Sequence, residues 1–502
     1  MTARIDGKPR PHVGSPQKLE SASNTGRSPV ENSVAERARQ GGVVDAFQGA
    51  RLSERSLASL GNPVALAKQA EARPVLTPAE EAEARRAIEE ATGSENPESI
   101  AEWLRAHPDP AEQAAFMDML FEYGPTVGNI LENTDDLSPE DQKMFSEALD
   151  AAYRRGAVTL EELQAAVGSY GNGTWSGESH SMLAKIVAGT GNPDLINAYV
   201  ERELEIMKAD GMEDPARAVA IATALASLPP DELQKFLERN PDVIPLVLQN
   251  LEDPSASLGA GAYEAVGKLL DAANAIQPPT PQSIQVFMDS IQHLGENEDS
   301  RAAAARFFTR NADAILSAVS DASGAISSRS AGKLAEFFTR TLFTEPTFEG
   351  QEALQRFVGQ KLGEMQKALE AEADTNPPTQ EAQRLARRMG SLVGAIEGGF
   401  MLAVEELDKR NEATEGLVGL LFKVKDLLPD VKIPVLGSLR DLTLDQIQDW
   451  VTESLKEHPD DPKDAIPFHV LFGEAVSNPT LATIYETARG TARDNRELGL
   501  DD

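Results

Sequence analysis

An all-α fold, with helical hairpins stacked in a solenoid-like or multi-bundle arrangement after a disordered N-terminal arm, is predicted by three features of the sequence. Aromatic residues make up only 5% of the 502, and the chain is rich in Ala, Leu, Glu and Gln, whose side chains lose little rotamer freedom in a helix. Helix-start signals alternate with Gly and Pro breakers along most of the chain. A short motif also recurs. Phe-Phe-Thr-Arg stands at Phe307–Arg310 and at Phe337–Arg340, and the stretch Arg306–Ile315 echoes Lys235–Ile244. Spacings of 71 and 30 residues between copies approximate one or two helical hairpins, the pattern left by similar helix pairs that bury one continuous core.

Taken in order, residues 1–75 differ from the rest. They hold 11 Lys/Arg against 7 Asp/Glu, so the other 427 residues carry −38 of the total −34. Pro, Ser, Gly and Asn punctuate this stretch and no apolar period survives, which predicts a disordered leader. It lacks the apolar run of a Sec signal, and no segment has the apolar length of a transmembrane helix. The expectation is a chain that is cytoplasmic or exported by a non-Sec route.

Order is expected from Leu76, where Thr77 caps, Pro78 takes the first helical position, and Glu80 and Glu81 face the positive end of the dipole. The same start signal recurs at Ser138-Pro139, Pro230-Asp231-Glu232 and Thr280-Pro281. Breakers between such starts give about 18 helices. They group into a helical subdomain at 76–168, a Gly-rich loop at 169–180, helical-hairpin repeats at 181–345, a hairpin with a glycine face at 346–430, and a small C-terminal helical segment at 431–502. The one strand-like stretch, Val431–Leu436, contains Pro434 and is therefore expected as a loop or an edge.

One helix stands out. Gly390, Gly394 and Gly398 recur every fourth residue and share a face, amid Leu392, Val393, Ile396, Phe400 and Met401. Each glycine costs helix stability, so the face should admit a close neighbour. A tight hairpin with Leu417–Leu428 is the expected partner, and Glu397 within the apolar run argues against membrane insertion.

Candidate chemistry is sparse. The loop from Gly168 to His180 gathers Tyr170, Trp175, Ser176, Glu178, Ser179 and His180, the material of a nucleophile or ligand loop. Glu178, Ser179 and His180 are its candidate catalytic residues, although it has neither a G-x-S-x-G elbow nor a phosphate-loop spacing. The structural alternative makes it a connection anchored by Trp175. Gly156–Leu163 matches the second half of an EF-hand loop, but the early ligand positions fall on Ala151, Tyr153 and Arg155, which supply no carboxylate. Caps at Gly156 and Thr159 explain these residues without calcium. The six histidines show no H-E-x-x-H spacing and cysteine is absent, so no metal and no cofactor is expected. The acidic charge disfavours nucleic acid as a partner.

The segment Gly390–Phe400 and the following Gly416–Phe422 resemble a helical-hairpin module near the C-terminal side of helical regions in bacterial polymorphic-toxin and related secreted proteins. Residues 145–250, with Asn192-Pro193-Asp194 and Leu228-Pro229-Pro230, are similar in style to all-helical regions of uncharacterised exported bacterial proteins. The resemblance implies an exported helical carrier with no catalytic residues of its own. The sequence-level expectation for function is therefore a non-catalytic scaffold, adaptor or delivery module that binds protein partners. The alternative is a hydrolase or toxin-type enzyme with its site in 168–180 or 430–502.

Overall fold

The first helix begins where the Thr77 signal places it. The Thr77 hydroxyl accepts from the Glu80 amide at 3.3 Å and the Glu80 carboxylate accepts from the Thr77 amide at 2.7 Å, a reciprocal capping box. The structure, a computed structural model, describes residues 76–124, 126–167, 177–210, 215–251, 259–295, 297–320, 327–343, 348–405, 410–425, 432–433, 437–457, 466, 468 and 476–496. The leader expected at 1–75 and most of the Gly-rich loop, including Tyr170, Trp175 and Ser176, lie outside these residues.

The fold is all-α. Among the described residues the first ten helices are α1 (Pro78–Ser94), α2 (Glu98–Ala106), α3 (Pro110–Phe121), α4 (Thr126–Glu132), α5 (Pro139–Arg154), α6 (Leu160–Val167), α7 (Gly177–Gly189), α8 (Pro193–Asp210), α9 (Pro215–Ala226) and α10 (Pro230–Arg239). Ten more follow: α11 (Val243–Gln249), α12 (Gly259–Ala275), α13 (Pro281–Ser290), α14 (Glu298–Val319), α15 (Ser328–Leu342), α16 (Gln351–Glu370), α17 (Gln380–Glu405), α18 (Arg410–Val424), α19 (Leu444–Glu457) and α20 (Pro479–Asp494). The starts expected at Ser138, Pro230 and Thr280 are those of α5, α10 and α13. The Ser138 hydroxyl accepts from the Asp141 amide, and Thr280 forms a second capping box with Ser283. Among the described residues Lys432 pairs with Ser438 and Ile433 with Gly437 in a short antiparallel ladder; Pro434 lies outside those residues.

Residues 72–502 form one unit. Helix contacts link α3 with α5, α5 with α7, α7 with α9, α9 with α12, α12 with α14, α14 with α15 and α15 with α17, and the most extensive contact is that of α17 with α20. The other helices pack against these, and one buried apolar cluster extends from Leu76 in the chain to Ala492.

The repeated phenylalanines share a local device. Phe236, Phe307 and Phe337 are fully buried. In each copy the side chain four residues later bonds back to the phenylalanine carbonyl: Asn240 at 3.2 Å, Asn311 at 3.2 Å and Thr341 at 2.6 Å. Such back-bonding competes with the helical ladder and bends or ends it. Accordingly α10 stops at Arg239, α14 kinks at Asn311 (φ −118°, ψ 16°), and α15 stops at Leu342. Pro241 follows the first copy and forbids continuation, whereas Ala312 follows the second and permits it.

The glycine face has a different partner from the one expected. A Cβ on Gly390 would overlap the Tyr485 carbonyl oxygen and come 2.9 Å from Ala488 Cβ; one on Gly394 would overlap the Arg489 carbonyl oxygen and come 2.9 Å from Ala492 Cβ. The face therefore receives α20, about ninety residues later in the chain, rather than the segment beginning at Leu417 (α18), whose continuation at 426–428 lies outside the described residues. Gly399, on another side of α17, sits against α15, where a Cβ would come 2.6 Å from the Ala335 carbonyl oxygen. At one end of this crossing the Asn478 amide donates to the Thr375 carbonyl at 3.0 Å while its oxygen caps α20. Leucine at Gly394 should lower stability by about 3 kcal/mol, the upper end of overpacking, despite its better helix propensity. Urea denaturation measures this, and an unchanged midpoint would refute the close crossing.

Candidate functional site

Of the candidate catalytic trio, the side chains of Ser179 and His180 are described. α7 begins at Gly177, and the side chain of Glu178 lies outside the described residues. Ser179 is buried and its hydroxyl donates to Glu132 Oε1, at the end of α4, at 2.6 Å. His180 is also buried, in the helix core. Consecutive residues on a helix point about 100° apart, so Ser179 and His180 do not share a face. The bond from Ser179 instead fastens α7 to α4, while Gly128 lets α4 lie close to α6, where a Cβ would come 2.7 Å from the Ala166 carbonyl oxygen.

The EF-hand-like stretch is a helix–turn–helix. Gly156 takes a left-handed conformation at φ 67°, and the Ala157 amide donates to the Ala152 carbonyl at 2.9 Å. The closing glutamate of the pattern, Glu162, is used as a cap. Its Oε2 accepts from the Thr159 amide at 2.8 Å and from the Thr159 hydroxyl at 2.9 Å. No group of three or more His, Asp or Glu residues among those described is placed to hold a metal.

A surface groove of about 610 Å³ lies between α2, α3 and α5 and is lined in part by Arg105, Gln113, Glu147, Asp150, Arg154 and Arg155. Arg105 pairs with Asp141 at 2.8 Å and Glu98 at 2.5 Å, and Arg154 with Asp150 at 2.9 Å. The Ser138 hydroxyl and then Arg105 hold the Asp141 carboxyl below its usual range. Beside the groove, His107 stacks on Trp103 with ring centres 4.0 Å apart. It thus serves packing at the end of α2.

Buried charge is concentrated at three helix crossings. Glu203 of α8 pairs with Arg217 of α9, both almost fully buried, and Glu203 also accepts from Gln164 at 3.0 Å. Asp289 of α13 accepts from Lys333 of α15 at 2.8 Å and from Gln285 at 2.7 Å. Glu397 of α17 pairs with Arg489 at 2.6 Å and Arg493 at 3.5 Å, both on α20. Burial pushes the Glu397 carboxyl up, against the pull of the two arginines. Apart from Glu397, which stands out within an apolar run, these residues carry no signal in the sequence: the cations paired with Glu203 and Asp289 lie 14 and 44 residues away.

Fold and polar geometry together define an all-α protein whose buried ionic groups are matched across helix contacts. No protein-family model matches the chain, and no curated protein matches it. None of the described helices is long and apolar enough to cross a membrane.

Proposed function

We propose that the chain is a non-catalytic helical scaffold, adaptor or delivery module that works through protein–protein contacts. The observation that carries this reading is the disposition of the buried charges: Glu203, Asp289 and Glu397 are each bound to cations of another helix, so they fix helix positions instead of converging on a cavity. Catalysis needs groups brought together with shifted acidity around a reacting atom. A binding scaffold needs stiff helices and an open surface. The groove between α2, α3 and α5 is the contact surface of this reading, with its arginines and carboxylates disposed to select a partner by charge. The −38 carried by residues 76–502 disfavours phosphate backbones as that partner. Export from a bacterium by a non-Sec route fits the resemblance to secreted helical regions and the mildly basic leader.

The test is site-specific photo-cross-linking in native host extract, with the probe at Met144 in the groove and at the exposed Leu444 as a control. A single saturable adduct from Met144, absent at Leu444 and lost in the Arg154→Glu/Arg155→Glu variant, is expected. A catalytic turnover abolished by Ser179→Ala would overturn the reading.

A further inference from the structure

We infer that His293 and the charges around it form an acid-sensitive joint, which opens the junction of α13, α14 and α15 when the imidazole takes a proton. His293 ends the short 3₁₀ turn Ile291–His293 that follows α13, and it is buried. That turn packs on α13 and α15. Next to it on α13 is Asp289. Lys333, Glu336 and Arg340 face the junction from α15, and Arg301 faces it from α14, its Nε donating to the Gly295 carbonyl at 2.9 Å. Asp289 is engaged by Lys333 and Gln285, and one oxygen of Glu336 accepts two bonds from Arg340, at 2.9 and 2.7 Å. Arg340 and Lys333 already act on His293 against the single carboxylate Asp289, so a proton on the buried imidazole adds a third positive charge where solvation is poor.

The turn has little room to adapt. Gly295 is left-handed at φ 55°, with the Tyr263 ring 2.5 Å from where a Cβ would stand, and the Ser300 hydroxyl donates to the Leu294 carbonyl at 2.6 Å. Relief therefore requires the helices to part. Behind the joint lies the cluster of Phe287, Phe307, Phe308 and Phe337, with ring centres 5.1 to 6.4 Å apart, so opening presents an aromatic surface.

Burial first, and then Arg340 and Lys333, push the imidazole down to about 4 from its ordinary 6.5. The sign follows from linkage. The closed joint holds His293 neutral, the opened joint lets it take a proton below pH 6.5, and closure therefore weakens as pH falls from 6.5 toward 4. Between pH 7 and pH 5 this favours opening by roughly twentyfold.

The chain has no cysteine, so one introduced thiol reports a single place. Ala331→Cys on α15 and Ala222→Cys on α9 replace fully buried residues, and labelling by dithiodipyridine is compared between them at each pH, which cancels the reagent's own pH dependence. Labelling of Ala331→Cys relative to Ala222→Cys should rise roughly twentyfold from pH 7 to pH 5. The rise should vanish with His293→Gln and shrink with Arg340→Gln, which removes a half-buried cation and leaves the imidazole in place. Equal responses at the two thiols, or a full rise in both histidine and arginine variants, would overturn the inference.

Discussion

Phe337→Ala should destabilise the protein by about 3 to 5 kcal/mol, because the vacated volume sits where neighbours cannot collapse into it. Phe337 is fully buried. Its ring lies 5.3 Å from Phe287 at 66°, 5.1 Å from Phe308 and 5.1 Å from Phe338, so truncation also removes edge-type contacts that contribute beyond area burial. These rings come from α13, α14 and α15. A void at their meeting point is bounded by bulky rings held on three separate helices, which favours the upper part of the range. Urea unfolding should show a lower midpoint with an unchanged slope. A loss under about 1 kcal/mol would mean that these helices do not meet at Phe337.

A comparable loss, about 3 to 5 kcal/mol, is expected from Arg217→Met, since it leaves the Glu203 carboxylate buried without its cation. Glu203 is 0% exposed and Arg217 3%, and neutral partners such as the Gln164 amide do not replace a full charge. The environment is already strained electrostatically: burial and then Glu203 push the nearby Tyr199 phenol well above its usual range. The double variant Glu203→Leu/Arg217→Met removes both charges and should recover most of the loss, because a buried ion pair and a well-packed apolar pair of similar volume differ little in stability. The comparison of single and double variants by chemical denaturation is decisive. Equal destabilisation in both would show that packing volume, not the orphaned charge, sets the cost.

Local interactions were legible in the sequence because they involve residues three or four apart. The Thr77 and Thr280 capping boxes, the Ser138 cap and the Thr159–Glu162 cap are all of this kind. So is the echo of Phe236 in Phe307, which marks a back-bond to the carbonyl four residues earlier. The loop candidates Glu178, Ser179 and His180 illustrate the converse. Their closeness in sequence suggested a site, yet helical geometry turns Ser179 and His180 apart and gives Ser179 a partner in α4.

Read alone, the residues specify a helical chain, the starts of α1, α5, α10 and α13, the burial of Phe236, Phe307 and Phe337, and a face shared by Gly390, Gly394 and Gly398 that admits a close neighbour. These follow from periodicity, capping chemistry and glycine's missing Cβ, properties each residue brings wherever the chain goes. Tertiary packing alone brings α20 to that face, sets Arg489 and Arg493 against Glu397, and places His293 among Lys333, Arg340 and Asp289. The physical reason is that burial and charge pairing are collective: a glycine face accepts any helix with small residues, and a carboxylate accepts any cation. Which of them arrives is fixed by the packing of the whole chain, where each contact is worth a few kcal/mol and none is written in the residues beside it.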